Sequence, residues 1–129
     1  MTTATATYIH DGFYTIVTGN SHRTFRVRTN DKDSAFAPGR QVIGYLYGPD
    51  NSSDYINFAF VGQGRIFPWK RFSTGYDHIL AAARYLVEGD QDAAGKMYAV
   101  QSGCCYRCNR LLTTPESIAA GLGPYCRNK

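Results

Sequence analysis

The chain has 129 residues and no cysteine before position 104. A body without cysteine cannot be held by disulfides, which argues against a small secreted scaffold. Long hydrophobic runs are also missing, since no apolar stretch approaches the roughly 20 residues of a membrane span. The segment from Met1 to Thr7 lacks the basic and apolar regions of a signal peptide. The expectation is therefore a cytoplasmic protein with no membrane partner. Residues 103–129 contain no histidine and one acidic residue, Glu116. A zinc-knuckle nuclease would place a histidine there to activate water. Elsewhere His10-Asp11, His22 and Asp77-His78 stand in no catalytic spacing, because sequence neighbours on a helix or strand point apart. The expectation is that the protein is not an enzyme.

Glycine-rich and acidic motifs are incomplete as well. Gly62-Gln63-Gly64 and Gly121-Leu122-Gly123 do not continue into a phosphate-loop or dinucleotide pattern and read as turns. Asp90-Gln91-Asp92 starts like a calcium loop but lacks the later ligands.

What is present is concentrated at the end of the chain. Cys105 and Cys108 form a Cys-x-x-Cys turn, and Cys126 follows 17 residues later. Such a turn aims two thiolates at one ion, and Zn²⁺ takes sulfur ligands in a tetrahedron at roughly 2.3 Å. Arg107 and Arg110 favour the thiolate form through their positive field. Gly121 and Gly123 suit a sharp turn, and Pro124 suits the first position of a short terminal helix, with Cys126 in its first turn. The position three residues after Cys126 is Lys129, which is no zinc ligand. Cys104 is the preferred fourth ligand, narrowly ahead of a distant histidine. Glu116, the terminal carboxylate and water are the other choices, and a redox Cys-x-x-Cys or plain reduced thiols are the alternatives to zinc.

The tract from Cys105 to Ile118, then Gly121 to Cys126, resembles a small uncharacterised zinc-finger family of actinobacterial phages and their hosts. Its pattern is of the kind C-x-x-C-G-R-x-L-T-x-P-x-S-I-x-x-G-x-G-P-x-C. Asn109 replaces the usual glycine, a change that a left-handed turn tolerates. His22 to Val27, Gly48 to Asn51 and Phe58 to Val61 are similar to a module that accompanies this finger. The resemblance implies a phage accessory protein that handles nucleic acid in the host cytoplasm.

The body is rich in aromatic and β-branched residues between turn signals, which predicts five strands: 13–18, 23–29, 41–47, 55–61 and 65–67. The fourth is the most apolar and is expected at the centre of the sheet. Pro68 predicts an edge for the last. Phe25 and Val27 alternate with Thr24, Arg26 and Arg28, giving a core face and a basic face. Tyr76, Ile79, Leu80, Ala83, Leu86 and Val87 repeat at helical spacing, with Thr74 and Asp77 as the expected capping pair and Gly89 as the stop. A second helix is expected from Gln91 to Tyr98, capped by Asp90. The predicted class is α+β: a small antiparallel sheet with a packed helix over 1–101, and a treble-clef-like zinc module over 102–129.

Net charge is +4, from 14 basic and 10 acidic residues, which favours anionic partners. Arg23, Arg26, Arg28, Trp69, Lys70 and Arg71, with Tyr14 and the finger's Arg107 and Arg110, form the expected surface for nucleic acid. Arginines neutralise phosphates and aromatics stack bases, which favours a single strand. The same letters describe a solvated sheet face. The rival expectation is a phage anti-defence factor that binds a host protein or a nucleotide.

Overall fold

The computed structural model describes residues 9–19 and 21–127. Five strands, β1 (Gly12–Thr18), β2 (Ser21–Thr29), β3 (Gln41–Leu46), β4 (Tyr55–Gly62) and β5 (Arg65–Pro68), form an antiparallel meander in sequential order. The helices are α1 (Asp77–Glu88), α2 (Gln91–Ser102), α3 (Pro115–Ala120) and α4 (Pro124–Arg127).

Period-2 alternation builds the core. Tyr14, Ile16, Phe25, Val27, Ile43, Val61 and Ile66 turn to one face, where Ile79, Leu80, Ala83, Leu86 and Val87 of α1 cover them. Each large side chain removed from water in this layer is worth about 2 kcal/mol. Ile43 pairs with Ala59 and Gly44 with Asn57, so Phe58 is an extra residue in β4 and turns inward at a bulge.

Four expectations are corrected here. The central strand is β3, with β4 one place from the edge and likewise paired on both sides. The N-cap of α1 is Tyr76, with no capping side-chain bond, and Asp77 sits in the first turn. Gly89 ends α1 without a left-handed conformation; a Cβ there would lie 2.5 Å from the Tyr85 carbonyl oxygen, so close approach explains the glycine. Asp90 caps α2 as expected through the Ala93 N–H, but the helix runs on to Ser102.

The two sheet edges differ. At β5, Pro68 removes a donor from an edge strand. At β1, the Phe13 N–H donates to the Tyr106 carbonyl at 2.7 Å, so the C-terminal module covers that edge. Tyr106 and Tyr98 belong to the main core, and the boundary expected after residue 101 therefore falls at the end of a helix that packs on the sheet.

Candidate metal centre and basic surface

The turn around the Cys-x-x-Cys motif is built from short backbone bonds. Cys104 and Leu111 form an antiparallel bridge, the Cys105 N–H donates to the Arg110 carbonyl at 2.8 Å, and the Leu112 N–H donates to Gly103 at 2.9 Å. The chain reverses through Asn109, whose φ of 65° is the left-handed conformation that asparagine tolerates. Asn109 also ties the turn to the sheet: its Nδ2 donates to the Asn51 carbonyl at 3.2 Å, and its Oδ1 accepts from the Tyr98 hydroxyl.

Thr114 caps α3 by accepting from the Ser117 N–H, and Gly121 ends it with φ 75°. This helix was missed in the sequence, although Thr114-Pro115 before it and Gly121 after it are start and stop signals. Pro124 opens α4 as expected, with Cys126 in its single turn.

These elements bring the sulfurs of Cys105, Cys108 and Cys126 within 4.8 Å of one another. In a tetrahedral shell with ligand bonds near 2.3 Å the sulfurs would stand about 3.8 Å apart, so a modest contraction closes the three onto one ion. Cys105 is fully buried and Cys108 is exposed. Burial opposes ionisation of Cys105, but the N–H groups of Cys108, Gly123 and Arg107 outweigh it and lower its thiol to about 7. Burial, followed by hydrogen bonding to and charge on the other two sulfurs, pushes Cys126 up to about 12. One thiolate that suppresses its neighbour's ionisation is the behaviour of a site that needs a cation.

Cys104 does not join the group. Adjacent residues on extended backbone point to opposite sides, and its Sγ turns to the Ser102 carbonyl at 3.6 Å. Among the described residues no histidine or carboxylate completes the cluster. The terminal carboxylate lies outside the described residues. His22 is exposed on β2, His78 is exposed on α1, and Glu116 is in α3. The Asp11 oxygens accept from the Thr29 N–H, the Thr29 hydroxyl and Gln41.

The expected basic surface divides into separate parts. Arg23 shares the parity of Phe25 and Val27 and lines a cleft with His78 and Tyr85 on the α1 side. Arg26 and Arg28 stand on the opposite face and share a cleft with Arg107. Tyr14 is buried in the core, tilted against the Tyr106 ring at 6.1 Å, and cannot stack a base. Trp69 makes edge contacts with Phe36 at 5.4 Å and Phe60 at 5.5 Å, and Arg40 lies over Phe60 at 4.1 Å. Lys70 and Arg71 follow in an exposed 3-10 turn, with Arg71 over the Phe72 ring. The reasoning from sequence missed Arg40 and Tyr125. Tyr125, next to Cys126, lines a cleft of about 430 Å³ with Arg107, Arg110, Leu111 and two of the cysteines.

The comparisons with known proteins bear on this module alone. A model described as a family of unknown function, DUF6011, matches residues 95–129. The match begins at Gly95, inside α2, at the residue whose missing side chain admits the Tyr106 ring. The similarity to that family thus covers the cysteine module together with residues 95–102 of α2. The comparisons with curated proteins and with solved structures found no match. Among the described residues, no helix is long and apolar enough to cross a membrane.

Proposed function

We propose that the chain is a zinc-stabilised, non-enzymatic protein that binds nucleic acid, with single strands favoured over duplex. The observation that carries this reading is the outer wall of the metal centre. There Arg107 and Arg110 stand beside Leu111 and Tyr125, which are 72% and 69% exposed. An exposed ring in the same cleft as two arginines supplies a stacking platform and phosphate neutralisation together. Zinc is the preferred ion because three thiolates suit a soft, tetrahedral, redox-inert metal. Its part is structural. It would be held by Cys105, Cys108 and Cys126, while the chain's own residues present the contact surface. The resemblance to the phage finger family adds a setting, the cytoplasm of an infected cell.

Arg26, Arg28, Arg107 and Arg110 give about four phosphate contacts. Affinity for a labelled single strand should then fall about fiftyfold between 50 and 200 mM salt, following a slope near −0.7 per contact. Arg110→Ala and Tyr125→Ala should each weaken binding about tenfold. Salt-insensitive binding, or variants that bind as tightly as the parent, would refute the reading.

A second reading, a host-protein or nucleotide binder, is favoured by the apolar exposure of Leu111, Ile118 and Tyr125 on the same module. Capture of a partner from host lysate that survives nuclease treatment supports this reading over the first.

A further inference from the structure

Arginines from two distant parts of the chain meet where the sheet joins the cysteine module. Arg26 and Arg28 are two residues apart on β2 and so share a face. Arg107 lies inside the Cys-x-x-Cys turn. All three line one cleft of about 280 Å³, together with Phe13, Ser52 and Asp11.

The acid in that lining is held by neutral donors and offsets only part of their charge. Asp11 Oδ2 accepts from the Thr29 N–H at 2.9 Å, and Oδ1 accepts from the Thr29 hydroxyl at 3.0 Å and from Gln41 Nε2 at 2.9 Å. Its oxygens are turned to neutral donors, and the cleft keeps an excess of positive charge. The guanidiniums are held from beneath by aromatic faces: Arg26 lies 4.8 Å above the Tyr55 ring and Arg107 lies 5.6 Å from the centre of Tyr106. The Nε atoms of both are buried and have no hydrogen-bond partner among the described residues. A buried unpaired donor on a charged group is costly, and an anion that accepts from it recovers that cost. Burial, and then the like charge of Arg28, already disfavour the protonated form of Arg26.

We propose that this cleft is a binding site for a phosphate monoester, adjoining the stacking wall at the metal and sharing Arg107 with it. Arg26, Arg28 and Arg107, set against Asp11 and the nearby Asp92 that holds the Tyr106 hydroxyl, leave a positive excess that favours the doubly charged phosphate monoester, about −1.5 to −2 at neutral pH. A carboxylate ligand would carry half of that. The cleft is open to solvent and, at about 280 Å³, admits the phosphoryl group together with part of its carrier. The carrier is a free nucleotide or the phosphorylated end of a strand, which offer the same chemistry.

The test follows the Nε–H resonances of Arg26 and Arg107 in the metal-loaded full chain. The probes are a nucleoside 5′-monophosphate, the matching nucleoside, and short single strands with a 5′-phosphate or a 5′-hydroxyl. The monophosphate should move both resonances and the nucleoside should not. Arg28→Gln, an exposed position that leaves folding and metal content intact, should weaken the monophosphate about tenfold. A gain of similar size from the 5′-phosphate on a strand identifies the strand end as the carrier; a gain confined to the mononucleotide identifies the free nucleotide. Resonances unmoved by the monophosphate, or Arg28→Gln binding it as tightly as the parent, would overturn the proposal. The outcome is separable from the proposed function. Strands that bind equally well with either 5′ end, with no response to the monophosphate, sink this site alone. A monophosphate response without strand binding sinks only the nucleic-acid reading.

Discussion

Gly95 in α2 is where the helix and the cysteine module interlock, and replacing it with alanine sets two effects of opposite sign against each other. In an exposed helix interior Gly→Ala stabilises by about 1 kcal/mol, because alanine gives up less backbone entropy. Here the new Cβ would stand 2.5 Å from Tyr106 Cε1 and 2.7 Å from Cγ, whereas carbon atoms rest at roughly 3.5–4.0 Å. The ring has little freedom to retreat. Its hydroxyl donates to Asp92 at 2.8 Å, the Tyr106 N–H donates to Gly121 at 3.1 Å, and the Tyr106 carbonyl accepts from Phe13 at 2.7 Å. Relief requires α2 to move by about 1 Å from the module, with overpacking costs of about 1–3 kcal/mol and weakening of a charge-assisted hydrogen bond of about 1.5–3 kcal/mol. The clash wins, and Gly95→Ala should lose about 2 kcal/mol net, or about 8 °C in Tm for a chain of this size. Thermal and urea unfolding of metal-saturated protein measure it. In a Tyr106→Ala background the same substitution should become stabilising, because the obstructing ring is gone. A Gly95→Ala protein as stable as the parent would refute this account of how the module is seated.

Cobalt-loaded protein should show a thiolate-to-metal charge-transfer band that survives Cys104→Ser and is lost in Cys105→Ser and Cys108→Ser; loss in Cys104→Ser would return that residue to the metal shell. Metal affinity should fall at least a hundredfold from pH 8 to pH 6. Cys126 holds its proton throughout this range in the metal-free chain, Cys105 gains one below about pH 7, and each such proton must leave before the metal binds. An affinity that does not change with pH would show that these thiols are not ligands. Stability should also fall in alkali. Burial raises Tyr98 to about 12; burial and the bond to Asp92 raise Tyr106 to about 12, and burial raises Tyr55 further. The folded values lie above the unfolded value near 10, so this stabilisation is complete below about pH 10 and is lost as pH rises towards 12. The urea midpoint should drop between pH 9 and pH 11, and an unchanged midpoint would show that the phenols ionise freely in the fold.

Much of the architecture was legible because it depends on local rules. Alternation in Arg23 to Thr29 assigned the faces of β2, and the same rule, applied consistently, puts Arg23 on the helix side. Gly62-Gln63-Gly64 announced the turn from β4 to β5, where Gln63 and Gly64 both take positive φ. The helical stripe from Ile79 to Val87 became the buried face of α1. The failures occurred where a residue's role is set by what packs on it from elsewhere. Tyr14 looked like a surface aromatic beside arginines, yet it lies under Tyr106.

By itself the sequence determined the five strands, the two main helices, the left-handed turn at Asn109 and the three cysteines that converge. Each follows from spacing along the chain, and backbone geometry converts spacing into direction within a few residues. Only the tertiary structure decided that β3 is central, that Cys104 turns from the metal group, and that Tyr106 closes the β1 edge. It also brought Arg107 to Arg26 and Arg28 across some eighty residues of chain. Such meetings depend on how faces buried for their apolar area come to rest against one another, and no local pattern encodes that.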